Sequence, residues 1–85
     1  MYKINKGFIT QRIGNKITIF DGEKSHLYTF NETATFIFDK IKSGLVQEKI
    51  IENIAKRYAV KKEQAEIDLD EFINDLISKQ IISVR

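Results

Sequence analysis

A single histidine, no cysteine and twelve carboxylates are all that this 85-residue chain offers for acid–base or metal chemistry. His26 stands alone, so neither a histidine-based metal set nor a Ser-His-Asp arrangement can be built around it. A lone histidine in or just before a strand pattern reads as a partly exposed strand residue. Gly7, Gly14, Gly22 and Gly44 are scattered at turns, without the spacing of a phosphate-cradling loop. The carboxylates are less evenly spread. From Lys62 to Lys79, Glu63, Glu66, Asp68, Asp70, Glu71 and Asp75 stand against two lysines, a net charge of −4. At about 100° per residue, Asp68, Glu71 and Asp75 share a narrow arc beside the apolar stripe of a helix. Charge runs of this kind are usually a solvated flank. The sharper reading is one wall of a groove that selects a basic or amide-rich peptide. No catalytic residue, metal ligand or cofactor is expected, and the residue types favour binding over catalysis.

The elements that must position this arc are legible from periodicity. Residues 7–13 and 16–21 read as two strands, with Gly14-Asn15 as the turn between them. On the second, Ile17 and Ile19 point one way while Thr18 and Phe20 point the other. Asp21-Gly22-Glu23-Lys24 is a second turn leading into a strand at 26–30, so the three strands make an antiparallel meander. Leu27-Tyr28-Thr29-Phe30 is aromatic and β-branched, which suits a strand. Asn31 follows at once as a helix N-cap, with Glu32 placed well for the helix dipole. A strand that runs straight into a helix fixes the angle between sheet and helices.

Three helices are predicted. The first, 32–42, carries Ala34, Phe36, Ile37, Phe38 and Ile41 and ends at Ser43-Gly44. The second, 46–58, aligns Val46, Ile50, Ile51, Ile54, Ala55 and Tyr58. The third, 62–79, aligns Ala65, Leu69, Phe72, Ile73 and Leu76 on one face. Residues 81–84 suit a short terminal strand or an apolar latch. Strands followed by helices in one short chain give an α+β fold, here a winged helix-turn-helix with a three-stranded antiparallel sheet followed by three helices, in a single domain over residues 1–85.

Composition narrows the partners. Without cysteine there is no disulfide framework or thiolate metal site. No signal peptide and no apolar run of about 20 residues is present, so the expectation is a cytoplasmic protein without a membrane partner. The net charge of +2 does not by itself imply a polyanion. In a DNA-reading winged helix the third helix would lie against phosphates, and a helix of net −4 repels them. Residues 46–58 carry only +1. Nucleic acid is therefore not the expected partner.

The run Leu27-Tyr28-Thr29-Phe30-Asn31-Glu32-Thr33-Ala34 resembles the strand-to-helix junction of the PqqD-like family. The similarity continues through Ile50, Ile51, Ile54, Ala55, Tyr58 and Val60, then Ala65 to Leu69, Phe72, Leu76 and Ile81-Ile82, covering roughly residues 7–82. Gln80 stands where the family usually has a glycine, which removes the easy left-handed cap after the third helix. The resemblance implies a winged-helix domain that recognises the leader peptides of ribosomally made, post-translationally modified peptides. It implies a leader docked as an added strand along 26–30 beside the third helix, with a maturation enzyme (radical enzyme, protease or cyclase) as the second partner. By position, the peptide-binding candidates are His26, Leu27, Tyr28, Thr29, Phe30, Asp68, Glu71, Phe72 and Asp75. For Leu27 and Phe30, core packing is the competing reading from burial preference, while Tyr28 is expected to be exposed or half-exposed. Two alternatives from other classes stand beside this one. One is a winged-helix transcription regulator or nucleic-acid adaptor using the basic sheet half, Lys3, Lys6, Arg12, Lys16 and Lys24. The other is a homodimer paired through an open sheet edge.

Overall fold

A computed structural model of the chain describes residues 2–84. Strands β1 (Tyr2–Ile4), β2 (Phe8–Ile13), β3 (Lys16–Asp21) and β4 (His26–Thr29) are followed by helices α1 (Glu32–Lys42), α2 (Gln47–Tyr58) and α3 (Lys62–Ser78), then β5 (Ile82–Val84). The antiparallel meander β2-β3-β4 is the expected sheet, so the fold is α+β as predicted. A second sheet joins β1 to β5, with Lys3 opposite Ser83. The 81–84 segment is thus a strand, and its partner β1 lies outside the elements that periodicity indicates.

Alternation on β3 works as expected. Ile17 and Ile19 are buried, and they join Phe30, Phe38, Ile54, Leu69, Leu76 and Ile81 in one core. α1 is tied to this inner face by a buried side chain. The Ile17 N–H donates to Thr35 Oγ1 at 3.0 Å, while the Phe30 N–H donates to the Ile17 carbonyl at 2.9 Å. Thr35 supplies the acceptor that Phe30 can no longer offer as the chain turns into the helix. Asn31 Oδ1 accepts from the Ala34 N–H at 2.8 Å, the predicted N-cap.

The end of α3 resolves the Gln80 question. Gln80 itself takes φ 61°, a left-handed conformation that costs a side-chain-bearing residue roughly 1–2 kcal/mol. The cap forms all the same. The Gln80 N–H donates to the Ile77 carbonyl and the Ile81 N–H to the Leu76 carbonyl, both at 2.9 Å. This is the paired bonding of a Schellman motif, and it buries Ile81 against the core. The helix therefore ends at Ser78, one residue before the predicted boundary.

Leu27 departs from the core-packing expectation. It is 58% exposed because it lies on the face of the sheet turned away from the helices, opposite Phe20 in the β3–β4 register. Phe30 sits just beyond the end of β4 and is buried, so for that residue core packing holds.

Candidate functional site: an open strand edge beside an acid-walled groove

β4 is the last strand of its sheet, and among the described residues nothing pairs with its outer side. Which backbone groups face that side follows from the register. The Phe30 N–H points at β3, and Tyr28 is aligned with Ile19 on the same strand. In an antiparallel ladder the hydrogen-bonding groups alternate, so Phe30, Tyr28 and His26 direct theirs inward. Leu27 and Thr29 are left with N–H and carbonyl groups on the open edge. That edge can accept another strand.

α3 forms the wall beside it. The Phe72 and Phe30 rings meet edge to face at 5.5 Å between centroids, and Phe30 meets Phe38 at 5.4 Å. At the other end of β4, Lys79 Nζ lies 5.6 Å from the centroid of the Tyr28 ring and also pairs with the Asp75 carboxylate. The His26 and Tyr28 rings lie 4.6 Å apart between centroids, tilted by 60°. The groove is thereby pinned at its Tyr28 end and open at its Asn31 end.

At the open end lies a cavity of about 370 Å³. The start of α1 contributes Asn31, Thr33, Ala34 and Ile37; α2 contributes Ile54 and Tyr58; α3 contributes Asp68, Glu71, Phe72 and Asp75. Its floor is apolar and its rim is carboxylate. Asp68 accepts a hydrogen bond from the Gln64 amide at 2.8 Å, and no salt bridge engages Asp68 or Glu71 among the described residues. No three His, Asp or Glu side chains in the described region converge as a metal-holding group. The arrangement suits an extended chain with one apolar-stemmed or cationic side chain set into the cavity.

The residues singled out from sequence divide between these two features. Asp68, Glu71, Phe72 and Asp75 come together around the cavity. Tyr28 is half-buried on the inner face and Phe30 lies buried beneath α3, while His26, Leu27 and Thr29 are exposed along the edge. None of the β4 residues lines the cavity itself. Sequence reasoning missed Thr33, Ala34, Ile37, Ile54 and Tyr58 as cavity residues. Ala34, Ile37, Ile54 and Tyr58 have the periodicity of core positions, and the sequence signal at Asn31 is that of a helix cap.

A three-stranded meander whose β4 edge runs beside α3, packed on three helices, defines a winged-helix domain with a groove along its last strand. Residues 17–82 match the family described as coenzyme PQQ synthesis protein D (PqqD), and the chain belongs to that family. Among solved structures it is similar to TbiB1 in complex with the TbiA(beta) leader peptide, with a TM-score of 0.88 at 19% identity, covering 98% of this chain and 96% of that one. It is also similar to lasso peptide synthetase B1 complexed with the leader peptide, with a TM-score of 0.90 at 16% identity and 98% of each chain covered. At these identities the similarity is one of fold. No curated protein sequence matches the chain.

Proposed function

We propose that this protein is a non-catalytic recognition module that binds the leader peptide of a ribosomally synthesised, post-translationally modified peptide precursor and delivers it to a maturation enzyme. The observation that carries the reading is the open edge of β4, whose free Leu27 and Thr29 backbone groups lead toward the acid-rimmed cavity that α1, α2 and α3 form at its Asn31 end. The leader adds as a strand. Backbone pairing supplies affinity that depends little on sequence, and the cavity supplies choice. The carboxylate rim favours a leader with a basic residue at that end. The two similar solved structures are both leader-peptide complexes, which supports the reading.

Holding the leader raises the concentration of the distal core peptide at the maturation enzyme without new contacts at the reacting centre. Ordering a flexible leader costs entropy, so the affinity falls at about 10⁻⁷–10⁻⁵ M. The nucleic-acid alternative is disfavoured by the carboxylates of α3, and a homodimer paired edge to edge through β4 would bring two such acidic helices together. The test is a fluorescence-anisotropy titration of the protein with the labelled leader of its cognate precursor, and with a duplex DNA at two salt concentrations. Saturable micromolar leader binding and no DNA complex at ~150 mM salt is the expected result. Nanomolar DNA binding with no leader binding would overturn the proposal.

A further inference from the structure

The three-stranded sheet is open at both ends. β2 is its first strand, and among the described residues nothing pairs with its outer side. The Gly22 N–H donates to the Gly7 carbonyl at 2.9 Å, which turns Gly7 toward β3. By alternation Ile9, Gln11 and Ile13 also bond inward, while Phe8, Thr10 and Arg12 hold their N–H and carbonyl groups outward. Natural sheets blunt such an edge with proline, a bulge, shortness or a free charge. β2 has none of these. It is six residues long, its register with β3 runs unbroken from Phe8 to Ile13, and the chain contains no proline. Its one charged residue, Arg12, is engaged by the Asp39 carboxylate of α1 at 2.7 Å.

We propose that β2 pairs antiparallel with β2 of a second copy, across a two-fold axis at Gln11. A two-fold contact requires one patch to match itself, and Ile9-Thr10-Gln11-Arg12-Ile13 does so. With Gln11 on the axis, Thr10 of one copy stands opposite Arg12 of the other, and the two exchange both backbone bonds on each side. Ile9 stands opposite Ile13 of the other copy, also twice, at the closer spacing of about 4.5 Å between Cα atoms. These isoleucines are 65% and 64% exposed in the single chain, and the pairing covers both. Moving the axis to Thr10 sets Ile9 against Gln11 and Ile13 against Gly7, with no apolar pair. The contact is short. It covers on the order of a few hundred Å² per copy, against roughly 800 Å² in a lasting complex, so the dimer dissociates at about 10⁻⁵–10⁻⁴ M. Pairing through β2 leaves both β4 edges at the two ends of a six-stranded sheet, so the dimer carries two leader sites.

The test is sedimentation velocity of the whole chain from about 10⁻⁶ to 10⁻³ M. Ile9→Lys/Ile13→Lys and Ile9→Glu/Ile13→Glu each set like charges opposite one another on both sides of the axis. The wild type should pass from monomer to dimer with a midpoint at about 10⁻⁵–10⁻⁴ M, and each variant alone should self-associate at least about tenfold more weakly. Mixed in equal amounts, the two variants should pair at least as well as the wild type, because lysine then faces glutamate. If either variant does not fold, Thr10→Pro, which removes an outward N–H, takes their place and should weaken the dimer by the same factor. A folded Thr29→Pro variant, broken at the β4 edge instead, should dimerise as the wild type does. A wild type that stays monomeric throughout would overturn the inference. So would variants that self-associate unchanged, a mixture that does not pair, or loss of the dimer in Thr29→Pro. Absence of leader binding would overturn the leader reading and leave this pairing standing.

Discussion

The two faces of one three-stranded sheet are both apolar, and they behave differently. Ile17 and Ile19 on the inner face vanish beneath three helices, whereas on the outer face Ile9 and Leu27 remain largely in water and Phe20 partly so. Both rows carry residue types that favour strands and burial. The difference is which one the helices can reach. Because α1 leaves β4 at a fixed angle through the Asn31 cap and the Thr35–Ile17 bond, the helices are committed to one side. Inner apolar residues hold the fold, and outer ones stay exposed.

The largest effect should come from removing inner volume. Ile19→Ala leaves a cavity at a fully buried position and should cost about 2–4 kcal/mol in denaturant melts. Ile9→Ala should cost less than about 0.5 kcal/mol. Equal costs would mean that the outer face is not free. Next comes the polar tie between α1 and the inner face. Thr35→Val keeps the volume but strands the Ile17 N–H without an acceptor, at an expected cost of about 1–3 kcal/mol in the same melts. A neutral change would show that this bond does not hold the helices to the inner side.

The Asn31→Ala prediction is smaller, about 1 kcal/mol from loss of the α1 cap, with the fold retained. A stability indistinguishable from wild type would contradict the cap. The smallest effect runs the other way. Gln80→Gly relieves the left-handed strain after α3 and should stabilise by roughly 0.5–1 kcal/mol, read as a higher melting midpoint. A loss of stability would mean that the Gln80 side chain has a structural role beyond its backbone bonds.

Much of this architecture is legible in the residues. The strand at Lys16–Asp21 and the helix at Glu32–Lys42 fall where alternation and 3.6-residue periodicity place them, and Asn31 caps as its chemistry suggests. Three features are not local, and periodicity misses them. β1 is three residues long and pairs with β5 some eighty positions away, a contact with no short-range signature. Leu27 has the character of a core residue, but the register opposite Phe20 decides its face. Ile54 and Tyr58 reach the cavity through the packing of α2 on α3, so a stripe that reads as core also supplies part of a binding wall. The Gln80 departure shows the reverse case. Local preference argues against a left-handed cap there, and burial of Ile81 with two backbone bonds outweighs it.

The most direct test of the central claim is an amide chemical-shift map of the protein on addition of the leader. Docking on the β4 edge beside α3 predicts shifts concentrated in residues 26–30 and 64–76, lost in a folded Thr29→Pro variant, which removes an N–H from the open edge. Shifts confined to α2 or to the Gly14-Asn15 turn, or leader binding unchanged by Thr29→Pro, would contradict it.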